Sequence, residues 1–220
     1  MSTLLIHKRN AILVQFTDRE GSATIPLPLE ALSDMDVTSE EAYLASVGKV
    51  LGKKVSPTVP AVLVIADELC YVAQAAPAEV EAKTKELISN TPFTHVETVT
   101  IKTPKLSYVI ATNADIYEAA VRVFDSYGYA ITTVIPWAAL TFHKVSAGGE
   151  IDRVTVKRTF DALGTLKSYS FPLSAHEHAE AEATPAPSSD KRKSLPVGWI
   201  IFGGFALLYA IGMMWFMTRQ

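Results

Sequence analysis

The sequence predicts an α/β domain of the α+β type, followed by one C-terminal membrane-spanning helix. Short apolar runs separated by turn residues open the chain, and strand and helix patterns alternate after them. Near the end, the run Leu195–Met217 contains no charged residue. About 175 residues precede the polar stretch before this run, enough to bury a core without disulfides or a structural metal.

Composition excludes some classes of partner and cofactor. The net charge of -3 argues against a nucleic-acid-binding surface, which normally carries a basic excess. Cys70 is the single cysteine, so no intramolecular disulfide can form and a reducing compartment fits. His176 and His178 flank Glu177, but two imidazoles without further ligands are too few to predict a metal site. We therefore expect neither a metal nor a cofactor.

The run Leu195–Met217 predicts the transmembrane helix. As a helix it spans roughly 34 Å, which exceeds a hydrocarbon core of about 30 Å. Lys191, Arg192 and Lys193 precede the span and a single Arg219 follows it, so the positive-inside bias keeps the N-terminal domain cytoplasmic. Three basic residues fall short of a polybasic lipid signal, so setting topology is the role that we expect for them.

Side chains within the predicted span suggest two further roles. Trp199 and Trp215 lie near its two ends, where they are expected to anchor it at the membrane interfaces. Gly203, Ala206 and Ala210 are small enough to let another helix approach closely. A homodimer is therefore an open alternative.

The chain is predicted to have three parts. Residues 1–175 form the cytoplasmic domain, and residues 195–217 form the membrane span. Residues 176–194 between them are rich in Ala, Glu, Pro and Ser and lack aromatic side chains, which predicts a flexible tether.

The first part of the domain predicts an antiparallel meander, a helix and a buried strand. The runs Leu4–Ile6, Ile12–Phe16 and Ala23–Leu27 are separated by short turns. Thr38 and Glu41 have the spacing of a capping box, and Gly52 is a stop signal for the helix between them. The sequence AVLVIA at 61–66 is too apolar to face water, as in a central strand covered by helices.

The next 65 or so residues alternate regularly and predict a strand, helix, strand, strand, helix and strand. The helices begin at Pro77 and at a cap on Thr112 or Asn113, and the second is expected to end at Gly128. The predicted strands are Cys70–Ala75, Val96–Lys102, Leu106–Ala111 and Ala130–Ile135. This order is that of a ferredoxin-like βαββαβ unit, inserted at about 70–135.

The meander, helix and buried strand of the first part form a framework, which is expected to resume after this insertion. Pro136 predicts the start of a short helix, PWAALTFH. Beyond Gly148 and Gly149, the sequences DRVTVKRTF and TLKSYSF predict a pair of strands that turns at 162–164.

Titratable residues form no catalytic constellation in the sequence. Asp67 and Glu68 are predicted to lie on a solvated turn between strands. His7, His95 and His143 are scattered singly, and each is expected to be a surface or half-buried histidine rather than a catalytic base. No nucleophile-elbow motif accompanies the serines.

Two stretches resemble the PilM/GspL-like actin-like family of type IV pilus assembly and type II secretion. They are AVLVIADELCYVAQAAPAEVEAKTKELI and LSYVIATNADIYEAAVRVFDSYGYAITTVIPWAAL, and the resemblance covers Leu4–Leu140. It implies a partial actin-like, or ribonuclease H-like, framework that carries the inserted ferredoxin-like unit. It also implies that a groove between the two holds a peptide from a membrane partner.

The departures from this family concern nucleotide chemistry. Actin-like ATPases carry a glycine-bearing phosphate loop between their first two strands, where backbone amides approach the phosphates. Here that connection is Lys8–Asn10, without glycine, and no P-loop motif occurs elsewhere. The second half of the actin-like fold has no counterpart either, so we expect that the chain is not an enzyme.

The resemblance and the anchor together predict a non-catalytic scaffold on the cytoplasmic face of the inner membrane, held by a single span. The implied partners are platform proteins of a pilus or secretion machine, with the assembly ATPase as a further contact. Three alternatives stay open: a membrane-anchored regulatory or ligand-sensing module of ferredoxin-like type, a degenerate enzyme that binds nucleotide, and a eukaryotic tail-anchored protein.

Overall fold

The predicted antiparallel meander is present at the start of the chain. In the computed structural model, which describes residues 2–17, 22–145 and 152–173, it consists of three strands. They are β1 (Thr3–His7), β2 (Ala11–Phe16) and β3 (Ser22–Pro26). Both pairs are antiparallel, with Leu5 opposite Val14 and Leu13 opposite Thr24. The strands contribute apolar side chains to the core, in which Leu5, Val14 and Ile25 are fully buried.

A short hairpin leads into the first helix. The hairpin strands are β4 (Leu32–Ser33) and β5 (Asp36–Val37), and α1 (Glu40–Leu51) follows. The cap predicted at Thr38 is wrong by one residue, because Ser39 accepts the backbone N–H of Ala42 at 3.2 Å. The Thr38 hydroxyl instead donates to the Glu30 carbonyl oxygen at 2.6 Å. Gly52 ends α1 as predicted, with a φ of 71°.

Two parallel strands extend the meander into a five-stranded mixed sheet. β6 (Val59–Ile65) pairs with β1, and β10 (Tyr129–Pro136) pairs with β6. The sheet order is β10-β6-β1-β2-β3. Four consecutive residues of β6, from Val62 to Ile65, are fully buried, as the continuous apolar pattern of this strand predicts.

A second, smaller sheet is built from the chain between β6 and β10. It contains β7 (Tyr71–Ala75), β8 (Val96–Lys102) and β9 (Ser107–Asn113) in the order β7-β9-β8, and both pairs are antiparallel. Two helices belong to this segment: α2 (Val80–Asn90) and α3 (Ala114–Ser126). The predicted elements are therefore present, and the Asn113 side chain caps α3 by accepting from the Asp115 N–H.

The prediction of a four-stranded ferredoxin-like sheet over about 70–135 is wrong in its last strand. β10 does not join β7, because its partner is β6 of the framework sheet. The physical reason is burial: Ile135 and Val134 are fully buried, and such a strand is stable where helices cover both faces of a parallel sheet. The framework thus resumes at Tyr129, before the predicted point after Pro136.

Helices also replace the predicted final strand pair. α4 (Trp137–Phe142) follows β10 as expected, but 153–166 form α5 (Arg153–Asp161) and α6 (Leu163–Leu166). Asp152 caps α5 by accepting the Thr155 N–H at 2.7 Å. The helical period buries Thr155, Val156 and Thr159 on one face, which a strand could not do.

Three side chains tie the small sheet and α3 to the rest of the described residues. Asn113 donates to the Met35 carbonyl oxygen at 2.9 Å and to Asp36 Oδ1 at 2.7 Å. The Tyr117 hydroxyl donates to the Pro172 carbonyl oxygen at 2.9 Å, and the Tyr117 ring stacks on Phe171. Arg122 makes a two-point ion pair with Glu40 of α1. The elements that carry the two sheets are therefore held in a fixed arrangement.

Candidate functional site

The side chains predicted to act in the membrane lie outside the described residues. These are Lys191, Arg192, Lys193, Trp199, Trp215, Gly203, Ala206 and Ala210, together with the predicted tether and span. Within 2–17, 22–145 and 152–173, no helix combines the length and the apolar character that a bilayer crossing needs. The anchor stays a prediction from the sequence.

The turn after β1 is the place where the sequence resemblance predicts the first phosphate loop of an actin-like ATPase. The Lys8 N–H donates to the Ala11 carbonyl oxygen at 2.8 Å, which closes the turn. The Arg9 N–H donates to Glu68 Oε1 at 2.7 Å. The Arg9 amide is thus already hydrogen-bonded to a carboxylate and is not available to a phosphate. The negative charge of Glu68 also disfavours binding of an anion at this turn. Glu68, predicted to be only solvated, has a structural contact.

His7 is fully buried, which corrects the expectation of a surface or half-buried side chain. Its Nδ1 donates to the Lys8 carbonyl oxygen at 2.9 Å. Neither His7 Nε2 nor the Tyr43 hydroxyl has a hydrogen-bond partner among the described residues. Burial lowers the pKa of His7 to about 4, so the ring is neutral at physiological pH and is shielded from any substrate.

Cys70 and His95 are two further reactive side chains that the structure characterises. Burial, with Asp67 nearby, raises the pKa of the Cys70 thiol to about 12, so the thiolate needed for nucleophilic attack is absent at neutral pH. His95 and Asp115 form an exposed pair, with Nδ1 and Oδ1 at 2.9 Å, and this bond raises the pKa of His95. No group of three or more metal-ligating side chains is found among these residues.

The candidate site is an exposed surface where the small sheet meets α4. We name it the junction surface and define it by Val72, Gln74, Tyr108 and Phe142. Val72 lies opposite Ile110 and Gln74 opposite Tyr108, so the three β7 and β9 side chains share one face of the sheet. The rings of Tyr108 and Phe142 contact each other, with centroids 4.7 Å apart. Both the small sheet and the framework therefore contribute to this surface.

The junction surface exposes large apolar side chains to solvent. Val72 is 51% exposed and Phe142 is 38% exposed, whereas Ile110 beside them is fully buried. Val72 is a diagonal cross-strand neighbour of Tyr108, and Phe142 contacts the Tyr108 ring, so apolar side chains lie on both sides of Tyr108 in a small patch of the kind that often marks an interaction site. The polar Gln74 at its side is also exposed.

β7 is an edge strand, and its free edge borders the junction surface. Among the described residues its strand partner is β9 alone. Its outer edge therefore carries backbone N–H and C=O groups that are available to another strand. The strand is held in place at its start, where the Thr112 hydroxyl donates to the Leu69 carbonyl oxygen at 2.7 Å.

The sequence did not identify the junction surface. The strand containing Val72 was predicted, and so was the short helix that ends near Phe142, but these residues are far apart in the chain. The alternation of β7 alone could have signalled that Val72 and Gln74 share a face. Nothing local to the sequence indicates that α4 packs beside that face.

Comparison with known proteins gives a distant likeness of fold. No family model matches the chain, and no curated protein matches it. Among solved structures, it is similar to a PilM-PilN type IV pilus biogenesis complex, with 13% identity over 64% of this chain and 49% of that chain, and a TM-score of 0.45.

A second solved structure is the cytoplasmic domain of EpsL, an inner membrane component of the type II secretion system of Vibrio cholerae. The identity is 14% over 61% of this chain and 54% of that chain, with a TM-score of 0.38. The chain therefore spans about half the length of the structures that it matches. They belong to the two machines named by the sequence resemblance, but a likeness of this extent carries no argument about what the chain binds.

Proposed function

We propose that the chain is a non-catalytic, membrane-tethered scaffold of a type IV pilus or type II secretion-like inner-membrane platform. In this proposal its domain faces the cytoplasm and binds an extended peptide from a membrane partner along β7. The observation that carries the proposal is the free edge of β7 beside the exposed apolar side chains of the junction surface.

An edge strand and a neighbouring apolar patch together suit the recognition of an extended peptide. Backbone hydrogen bonds to the free edge of β7 would give affinity without regard to sequence. Alternate side chains of the peptide would then point toward Val72 and Phe142, and these contacts would select apolar residues. Because Tyr108 and Phe142 are packed against each other, the binding surface is largely formed in advance.

The absence of catalysis in this proposal is supported by the turn after β1. The Glu68 carboxylate bonds the Arg9 amide, so the turn presents negative charge where a nucleotide phosphate would need free amides. His7 and Cys70 are both held neutral by burial.

The predicted anchor gives the scaffold its location. A single span at 195–217 would hold the domain at the inner membrane and raise its effective concentration toward partners there. Contacts with the assembly ATPase and pairing of two spans through Gly203, Ala206 and Ala210 belong to the same proposal.

Site-specific crosslinking in native membranes tests the proposal. A photoactivatable residue placed at Gln74 is expected to crosslink to a pilus or secretion platform protein, since Gln74 borders the free edge of β7. The matched control is the same residue at Val50, another exposed position, which lies on α1. Products are identified by mass spectrometry.

A variant with a charge in the junction surface provides a second test in the same crosslinking experiment. Val72→Asp is expected to reduce recovery of the Gln74 product by about tenfold or more, because burying an unpaired carboxylate under the peptide costs roughly 2 kcal/mol or more. Val50→Asp should leave recovery unchanged. Recovery of no platform protein, or equal products from positions 74 and 50, would count against the scaffold function.

A further inference from the structure

A cavity of about 650 Å³ lies between α5 and the ends of β1 and β2, away from the junction surface. Ser2 and Thr17, next to the strand ends, form one part of its lining. α5 supplies the rest, which consists of Arg153, Val154, Lys157, Phe160 and Asp161. Nothing in the proposed scaffold function uses this cavity.

Two cations of the cavity lie on one side of α5. Arg153 Nε donates to the Thr17 carbonyl oxygen at 3.3 Å, and this bond uses neither of the two Nη groups of the guanidinium. Lys157 lies one turn further along the same face. Within residues 2–17, 22–145 and 152–173, neither cation forms an ion pair. Among the described lining residues, Arg153 and Lys157 are the cations and Asp161 is the carboxylate.

The cavity also has an apolar side. Val154 is 52% exposed beside the two cations, and Phe160 is half-buried in the lining. An inorganic anion would engage the cations but would leave the valine in water. A ligand that joins an anionic group to an apolar body would use both parts of the cavity.

We infer that this cavity binds the phosphate of an acidic phospholipid headgroup, with Arg153 and Lys157 on the phosphate and Val154 toward the acyl region. This rests on the anchor of the proposed function, because the predicted tether of 176–194 keeps the domain near the bilayer. Even fully extended, such a tether spans only about 65 Å. α5 is the last long helix described before the tether begins.

Amide hydrogen exchange of the 220-residue chain with liposomes tests this assignment. The chain is mixed with phosphatidylcholine liposomes that contain increasing fractions of phosphatidylglycerol. Exchange across residues 153–161 is expected to slow as the acidic fraction rises. In Lys157→Gln the fraction needed for half of this protection should rise about fivefold, and Arg153→Gln/Lys157→Gln should lose the protection.

Lys83→Gln/Lys85→Gln is the matched control, since it removes two cations from α2 and should behave like the unmodified chain. Circular dichroism melting verifies that each variant is folded, and Lys157→Gln keeps the bond from Arg153 to Thr17. Equal protection by millimolar inorganic phosphate with neutral liposomes would overturn the lipid assignment in favour of a free anion. Protection independent of acidic lipid, or an equal loss in the control, would also overturn it.

The anchor is measured separately in the same samples. Co-flotation of the chain with purely neutral liposomes reports on membrane insertion, whereas the difference between acidic and neutral liposomes at α5 reports on the cavity. A chain that floats but shows no acidic-lipid effect contradicts the cavity assignment and leaves the scaffold function intact. A chain that does not float contradicts the anchor.

Discussion

His7 and Tyr43 place two polar side chains inside the core, with ring centroids 5.9 Å apart. His7 Nε2 has no hydrogen-bond partner among the described residues, and this can be tolerated as long as the ring is neutral, since a buried charge without a partner is far more costly. Because burial disfavours the charged ring, the pKa of His7 is lowered to about 4. A single residue therefore links the stability of the domain to pH.

The chain is expected to lose stability as the pH falls from about 6.5 to about 4. Between these values the unfolded chain binds a proton on His7 that the folded chain does not, so the free energy of unfolding rises with pH and drops in acid. The full loss is about 3 kcal/mol. Urea unfolding in neutral detergent at a series of pH values, followed by circular dichroism, measures it.

Two variants separate His7 from other acid effects. His7→Leu should flatten the pH dependence over this window, because it removes the titrating group from the core. His95→Ala should keep the dependence, since the pKa of His95 is raised by Asp115 and this group works in the opposite direction. An unchanged acid slope in His7→Leu would show that burial of His7 is not its source.

At the scale of elements, α5 shows how one pattern of residues fits two structures. Val154 and Val156 alternate with polar neighbours, which predicts a strand with both valines on one face. In the helix they lie on different faces, so Val156 is fully buried while Val154 is 52% exposed. The cap from Asp152 and the burial of Thr155 and Thr159 decide in favour of the helix.

This difference gives a direct mutational test of α5. Val156→Ala is expected to lower the free energy of unfolding by roughly 2 kcal/mol, because it removes two buried methyl groups. Val154→Ala should change it by less than about 0.5 kcal/mol, since surface substitutions rarely do more. Urea titrations of both variants measure the two values. Similar losses for both valines would indicate a strand with the valines on a common face.

Sequence patterns predicted those parts of the fold whose signals are local. The meander, β6 and α3 were predicted because apolar spacing, the Asn113 cap and turn residues lie within each element. β10 was also found as a strand, but its sheet was assigned wrongly. The sheet that a strand joins depends on a partner strand far away in the chain, which for β10 is β6. The residue pattern of β10 itself does not indicate that partner.

The candidate site was less accessible to prediction for the same reason. Val72 and Phe142 belong to different elements, and their common surface arises only when β9 carries Tyr108 against α4. The cations of the cavity beside α5 were hidden by the strand prediction, which would have placed Arg153 and Lys157 on one face but about 13 Å apart along the strand. In a helix they are one turn apart.

At the scale of the whole molecule, the span at 195–217 is a prediction that mutation can test. Leu207→Lys/Leu208→Lys is expected to release the chain from membranes, because each lysine at the centre of a span costs about 3 kcal/mol. Ser188→Lys/Ser189→Lys adds the same charge to the predicted tether and should leave the chain in the membrane fraction. Carbonate extraction followed by centrifugation measures both. Retention of the double-lysine span variant would argue against a transmembrane helix at 195–217.

The interleaving of the two sheets also constrains the order in which the chain can assemble. The small sheet is closed within one continuous stretch, whereas β6 and β10 lie on either side of that stretch and pair only across it. Closing a long loop costs chain entropy, and this cost is smaller once the intervening segment is already compact. The small sheet with the edge strand β7 is thus expected to form early, and the framework sheet is completed around it.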